Sequence, residues 1–209
     1  MKLYDYAPSQ NGYKVRMLLQ HLGIALETVP IAIFRGESHD DVFLARNPAG
    51  AVPVLEPQPG RFIAESNAIL CYLAEGTRYF ATDPFRRAKI LQWLFFEQDY
   101  LQSTIATLRH WRLTGKLAAR EAEAPARRRG GRKVLEILER ELAARPYLVD
   151  DYSIADIAVF AYGHLAEDAG FDLGEFSAVR RWIRHIEKEQ SPLPPVIPYS
   201  VDPDSVREL

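Results

Sequence analysis

Glu65-Ser66-Asn67 stands directly before an apolar-periodic segment, and this is a place where a small zwitterion could be held. The N–H groups of a helix's first turn have no partner inside the helix, and together with the Ser66 hydroxyl they suit a carboxylate. The Glu65 carboxylate suits an ammonium. Upstream lies Val52-Pro53, at the head of a short apolar run. Proline is the residue that readily accepts a cis peptide bond, and a cis bond here would turn the N–H and C=O of Val52 outward, open to an extended peptide-like ligand. A small peptide carrying both an amine and a carboxylate would fit the two features together. Taken singly, Val-Pro is usually trans and a serine before a helix usually only caps it. Their order and proximity make the combination far more specific.

The elements that must hold these residues follow from pattern. Asn47 to Leu70 reads as strand, Pro57–Gly60 turn, second strand over Phe62–Ala64, then helix. Ahead of it, Leu3 to Tyr6 is a short aromatic-rich strand, and residues 7–12 form a turn by composition. Val15, Leu18, Leu19 and Leu22 recur at helical spacing, and Gly23 stops the helix. Glu27 to Ile33 alternates like a strand, at an edge because of Pro30. Phe34 to Asp41 is loop, and Asp41 to Arg46 a helical turn. The order β-α-β-(α)-β-β-α predicts a parallel first pair of strands, a right-handed crossover and a mixed sheet flanked by helices, the thioredoxin-like arrangement.

Past Thr82-Asp83-Pro84 the chain reads as helix. Ala88, Leu91, Leu94, Phe95, Leu101, Ile105 and Leu108 mark one long face. A basic stretch from Arg127 to Arg132 is broken by Gly130-Gly131, and Val134 to Leu142 marks a second helix. Ser153-x-x-Asp156 has the form of a capping box opening a third, and Val179, Trp182, Ile183 and Ile186 mark a fourth. The expected division is residues 1–78, α/β, and residues 84–209, all-helical with an extended proline-rich tail from Ser191.

The stretch N-P-A-G-A-V-P-V-L followed by F-I-A-E-S-N-A-I-L closely resembles the glutathione-binding half of the soluble glutathione S-transferases. The Ser153-x-x-Asp156 box is similar to the one that family carries in its helical domain. The resemblance implies a cis Pro53, Val52 paired with the cysteinyl part of glutathione, and Glu65 and Ser66 on the γ-glutamyl end. It implies an enzyme that holds the glutathione thiol as thiolate for attack on an electrophilic, apolar small molecule lodged between the domains, a detoxifying transferase. Phe95, Tyr100, Trp111 and Tyr162 are candidates for the pocket wall. Glutathione would be a co-substrate, with no tightly bound cofactor and no metal. A thiol titrates near about 8.5, and lowering that by two units takes about 2.7 kcal/mol of preferential thiolate stabilisation. Ser9 matches the serine of serine-type members, and Ala7-Pro8-Ser9-Gln10-Asn11-Gly12 looks similar to bacterial relatives that use a Thr/Asn pair. Ser9 is therefore the expected principal donor, with Asn11 as second donor or substitute, although both are also good cap residues. Tyr4 and Tyr6 fall on the strand, where burial is the expected role. Arg35 and His39 are candidates for the glycine carboxylate. Asp99 is a candidate to reach the γ-glutamyl amine of a partner subunit in a homodimer. Two other readings stay open: a non-catalytic binding or interaction protein on the same fold, and a glutathione-dependent disulfide-bond reductase. Serine at position 9 and the apolar surroundings of Cys71 disfavour the latter.

Bulk numbers narrow the class. The 209 residues can bury a sizeable core, 47% hydrophobic and 26% charged residues are ordinary for a globular protein, and a net charge of −2 predicts no nucleic-acid partner. One cysteine allows no internal disulfide. No apolar run spans a bilayer and the first residues lack a secretory core, so the expected location is the cytoplasm.

Overall fold

A computed structural model describes residues 1–208. The chain forms two compact units, one of residues 1–75 together with the chain from Pro194 onward, the other Gly76–Leu193.

In the first unit, β1 (Lys2–Asp5) pairs in parallel with β2 (Glu27–Pro30) and antiparallel with β3 (Val54–Gln58), which pairs antiparallel with β4 (Arg61–Ile63). The order is β2-β1-β3-β4, so Pro30 does lie on an edge strand. Helix α1 (Gln10–Leu22) ends where Gly23 turns left-handed at φ 65° and its N–H caps Leu19 and Gln20. Helix α3 (Ser66–Ala74) packs against α1. Because side chains alternate along a strand, Leu3 and Asp5 face α1 while Tyr4 turns to the other side, packing with Ile31, Phe43 and Val54. The stretch expected as loop after Ile33 is wound into two 3₁₀ turns, Ile33–Arg35 and Glu37–His39, before the single turn α2 (Asp41–Leu44), which Asp40 caps at 2.6 Å through the Phe43 N–H. The tail is assigned from sequence to the helical domain. Residues from Pro194 instead cluster with the N-terminal unit, because Asp202 accepts the Tyr6 hydroxyl at 2.9 Å and Asp204 accepts from Arg35 at 2.5 Å.

In the second unit, Asp83 caps α4 (Pro84–Phe96), which continues through a π-helical stretch, Glu97–Ala106, into α5 (Thr107–Leu113). Helix α7 (Ile154–Gly163) is buried along its whole length. Its capping box is formed, and Asp156 also accepts from the Leu148 N–H at 2.9 Å and the Trp182 indole of α8 (Ser177–Glu189) at 3.0 Å. One expectation is corrected. Helix α6 runs unbroken from Ala124 to Leu142 through Gly130-Gly131. The glycines are there for proximity: a Cβ on Gly130 would lie 2.7 Å from Thr104 Cγ2, and one on Gly131 2.3 Å from Phe171 Cζ. Among the described residues no helix is long and apolar enough to cross a membrane.

Candidate active site

The loop leading to Val52 is shaped by its own first residue. Buried Asn47 accepts the Ala49 N–H at 3.1 Å and donates to the Ala51 carbonyl at 2.8 Å, an Asx-type turn that delivers the chain to a cis Val52-Pro53 bond directly before β3. Gly50 sits at φ 62°, and a Cβ there would lie 2.9 Å from His39 Nε2. His39 therefore packs directly over this loop, its Nδ1 3.0 Å from the Ser38 hydroxyl. The role of Asn47 was open to sequence reasoning, since Asn ahead of Pro-x-Gly is a turn signature; the His39 contact was not, being tertiary.

Ser66 is the first residue of α3, so it stands in the first turn; Glu65 is the cap position and places no side-chain bond on the helix. Glu65 adopts φ 65° and ψ 111°, the one non-glycine residue with positive φ among the described residues. Such a conformation costs of order 1–3 kcal/mol and concentrates at binding sites. The buried Ser66 hydroxyl donates to Asn11 Oδ1 at 3.3 Å, and the Lys14 ammonium donates to Asn67 Oδ1 at 3.1 Å. These two bonds tie the start of α3 to the start of α1. Neither helix has an acidic residue in its own first turn, although Glu65 caps α3 and the Asp5 carboxylate lies against Gly12 of α1.

Ser9 is the N-cap of α1: its Oγ accepts from the Gly12 N–H at 3.5 Å and its own N–H donates to the Tyr6 carbonyl at 2.8 Å. Capping uses a lone pair of the hydroxyl and leaves its proton to donate elsewhere, so a cap and a hydrogen-bond donor are compatible roles for one serine. Tyr4 and Tyr6 differ: the Tyr4 hydroxyl donates to Glu56 at 2.7 Å and the Tyr6 hydroxyl to Asp202. Burial, then these carboxylates, push both phenols above their usual range. Buried Gln10, beside Ser9, was not singled out in the sequence; its Oε1 has no hydrogen-bond partner.

The other candidates lie elsewhere. Arg35 lines a groove of ≈ 380 Å³ between Ala7-Pro8 and the returning tail, paired with Asp204. Asp99 lies on the π stretch, in a groove of ≈ 530 Å³ with Phe95, Phe96, Tyr100 and Ile137. Of the suggested wall aromatics, Phe95 and Tyr100 are 70% and 54% exposed, while Trp111 and Tyr162 are buried. Cys71 is partly buried on α3.

Residues 3–78 match the family domain described as glutathione S-transferase, N-terminal domain, and residues 94–190 match glutathione S-transferase, C-terminal domain. A crystal structure of glutathione S-transferase from Pseudomonas fluorescens is similar at TM-score 0.90 and 37% identity, over 94% of this chain and 98% of that one. The chain belongs to the glutathione S-transferase family. A glutathione transferase from Pseudomonas putida, solved with one glutathione disulfide bound per subunit, is similar at TM-score 0.78 and 26% identity, over 90% of this chain and 87% of that one. Elongation factor 1-gamma of Artemia salina is 30% identical over 176 residues, 80% of this chain; the match spans 40% of that protein's length. On this glutathione S-transferase scaffold, the residues brought together are Asn11, Ser66 and Asn67 at the joined helix starts, and His39 against the loop before Val52.

Proposed function

We propose that this chain is a serine-type glutathione transferase in which Ser9 stabilises the glutathione thiolate and Asn11 assists. The observation that carries the reading is a conjunction in the N-terminal unit. A cis Val52-Pro53 bond occurs together with two helix starts bridged by the Ser66–Asn11 hydrogen bond, the second of them capped by Glu65. In this reading the cysteinyl backbone pairs with Val52, beside Pro53. The γ-glutamyl carboxylate docks on Ser66 and the first-turn N–H groups of α3, and the amine on Glu65, whose backbone conformation turns that residue at the helix mouth. His39 takes the glycine carboxylate; Arg35, whose Nε is held by Asp204, is the second candidate. The Ser9 proton then hydrogen-bonds the sulfur anion, which attacks an electrophilic carbon as the leaving group departs with the bonding electrons. We assign the electrophile an apolar character, glutathione the status of co-substrate, and the protein a cytoplasmic location as a homodimer. A second copy would cover the exposed Phe95 and Tyr100, with Asp99 reaching its γ-glutamyl amine.

The test is retention on glutathione resin together with titration of thiolate absorbance in the complex. The expected result is retention and a bound thiol at least about one pKa unit below its free value of about 8.5. Binding with the thiol still protonated would sink the transferase reading and leave a binding protein. A second reading, disulfide-bond reduction, is favoured by one observation, the glutathione disulfide held by the Pseudomonas putida relative. Turnover of a small disulfide in place of an electrophile would select it.

A further inference from the structure

Beneath the Ser9 loop lies an ion pair, buried at its acid and partly exposed at its base, that none of the roles above uses. The Asp5 side chain is 1% exposed, and Arg16, one turn past the loop on α1, donates to its Oδ2. The same guanidinium donates to the Ala7 carbonyl at 2.8 Å. Asp5 Oδ1 accepts the Tyr6 N–H at 2.8 Å, and the Tyr6 carbonyl in turn accepts the Ser9 N–H. The same Oδ1 lies against Gly12, where a Cβ would be 1.9 Å away. Gly12 is the residue whose N–H addresses the Ser9 hydroxyl. Asp5 and Arg16 thus bond the loop at residues 6 and 7, and Asp5 packs against Gly12 in the first turn of α1, on both sides of Ser9.

We propose that Arg16 and Asp5 are positioning residues for the Ser9 hydroxyl: the planar fork of Arg16 holds Ala7 and Asp5 at once, and Asp5 sets the Tyr6 and Gly12 backbone between which Ser9 is hung. The inference rests on the reading of Ser9 as thiolate donor. The fork matters because lysine, a point charge, can answer the Asp5 carboxylate without also fixing the Ala7 carbonyl. Charge matters as well, because Arg16 neutralises a carboxylate that would otherwise stand behind α1's first turn and oppose an anion in front of it.

The experiment compares wild type with Arg16→Lys, Arg16→Met, Ser9→Ala and the Ser9→Ala/Arg16→Met double variant. It reads the pKa of bound glutathione, and kcat and KM with a reactive aryl halide. Arg16→Lys, which keeps the charge, should fold and yet raise the bound-thiol pKa and lower kcat about tenfold with KM for glutathione within about twofold, the pattern of a lost transition-state interaction. Arg16→Met should do more in the wild-type background and nothing further to kcat in the Ser9→Ala background, since a residue acting through Ser9 is silent without it. Equal losses in both backgrounds, or an unmoved thiol pKa in Arg16→Lys, overturn the proposal. Should wild-type protein bind glutathione without ionising it, the transferase reading fails by itself. Amide exchange then decides positioning: Arg16→Lys must speed exchange at Ser9 and Gly12 while leaving Leu70 on α3 unchanged, and equal rates overturn it.

Discussion

At Ser9 the observed cap and the proposed thiolate donor would share one oxygen. Ser9→Asp keeps an acceptor for the Gly12 N–H, and a good cap, while replacing the donor with a negative charge. We expect unfolding free energy within about 0.5 kcal/mol of wild type, by urea titration, because Asp and Ser are near-equal caps. The transfer rate should fall about 100-fold or more, as when a preorganised donor to a developing anion is lost. A variant that lost both in proportion would mean Ser9 acts only through α1. The cis Val52-Pro53 bond and the helix start at Ser66 were legible because their signals are local: a proline at a bend, a hydroxyl at a helix start. Arg16 and Asp5 were not legible. An acid in a strand and a base on the next helix are common, and only the fold reveals that they meet under the loop.

Among the elements, α6 carries the clearest lesson about glycine. Gly-Gly in a basic stretch reads as a break because each glycine weakens a helix by about 1 kcal/mol relative to alanine. The close approaches of Thr104 and Phe171 outweigh that cost. Gly131→Ala should therefore destabilise, despite alanine's better propensity, by about 1–3 kcal/mol as overpacking. Adding Phe171→Leu should restore most of the loss, and the thermal midpoints of the single and double variants check it. The same logic separates what else was readable. Capping boxes and Gly23 are short-range signals, whereas the π-helical stretch within the α4–α5 run has no residue-level signature. At the end of α7, His164 stacks on Phe160 with ring centroids 4.2 Å apart. Burial lowers its pKa from 6.5 to about 4, partly offset by the bond to the Phe160 carbonyl. A depressed folded-state pKa gives stability that is present above 6.5 and lost as pH falls toward 4. Relative to wild type, His164→Phe should gain up to about 3 kcal/mol between pH 7 and pH 4, from the shift of about 2.5 units. Urea unfolding at the two pH values measures it. A constant difference would show that the imidazole is not buried neutral.

For the whole molecule, the return of the chain to its first unit is the feature that no window of sequence announces. Proline-rich composition correctly indicates little regular helix after Ser191, but composition carries no address. The address is given by Asp202 on Tyr6 and by Asp204 shared between Arg35 and Arg207. Tyr6→Phe removes the buried donor and leaves Asp202 facing a ring edge. It should cost about 1.5–3 kcal/mol, the scale of a hydrogen bond to a charged group, and should speed proteolysis of the tail before it affects the helical unit. Limited digestion followed by mass measurement would register that order. Unchanged tail cleavage would mean that the tail is held by other contacts.

Tyr6 is synthesised almost two hundred residues ahead of the aspartate that accepts its hydrogen bond. At about 5–20 residues per second, roughly 10–40 s separate the two on a translating ribosome. Throughout that interval the nascent first unit carries a phenol and a guanidinium without their tail carboxylates, so this lock closes only after the whole helical unit has been made.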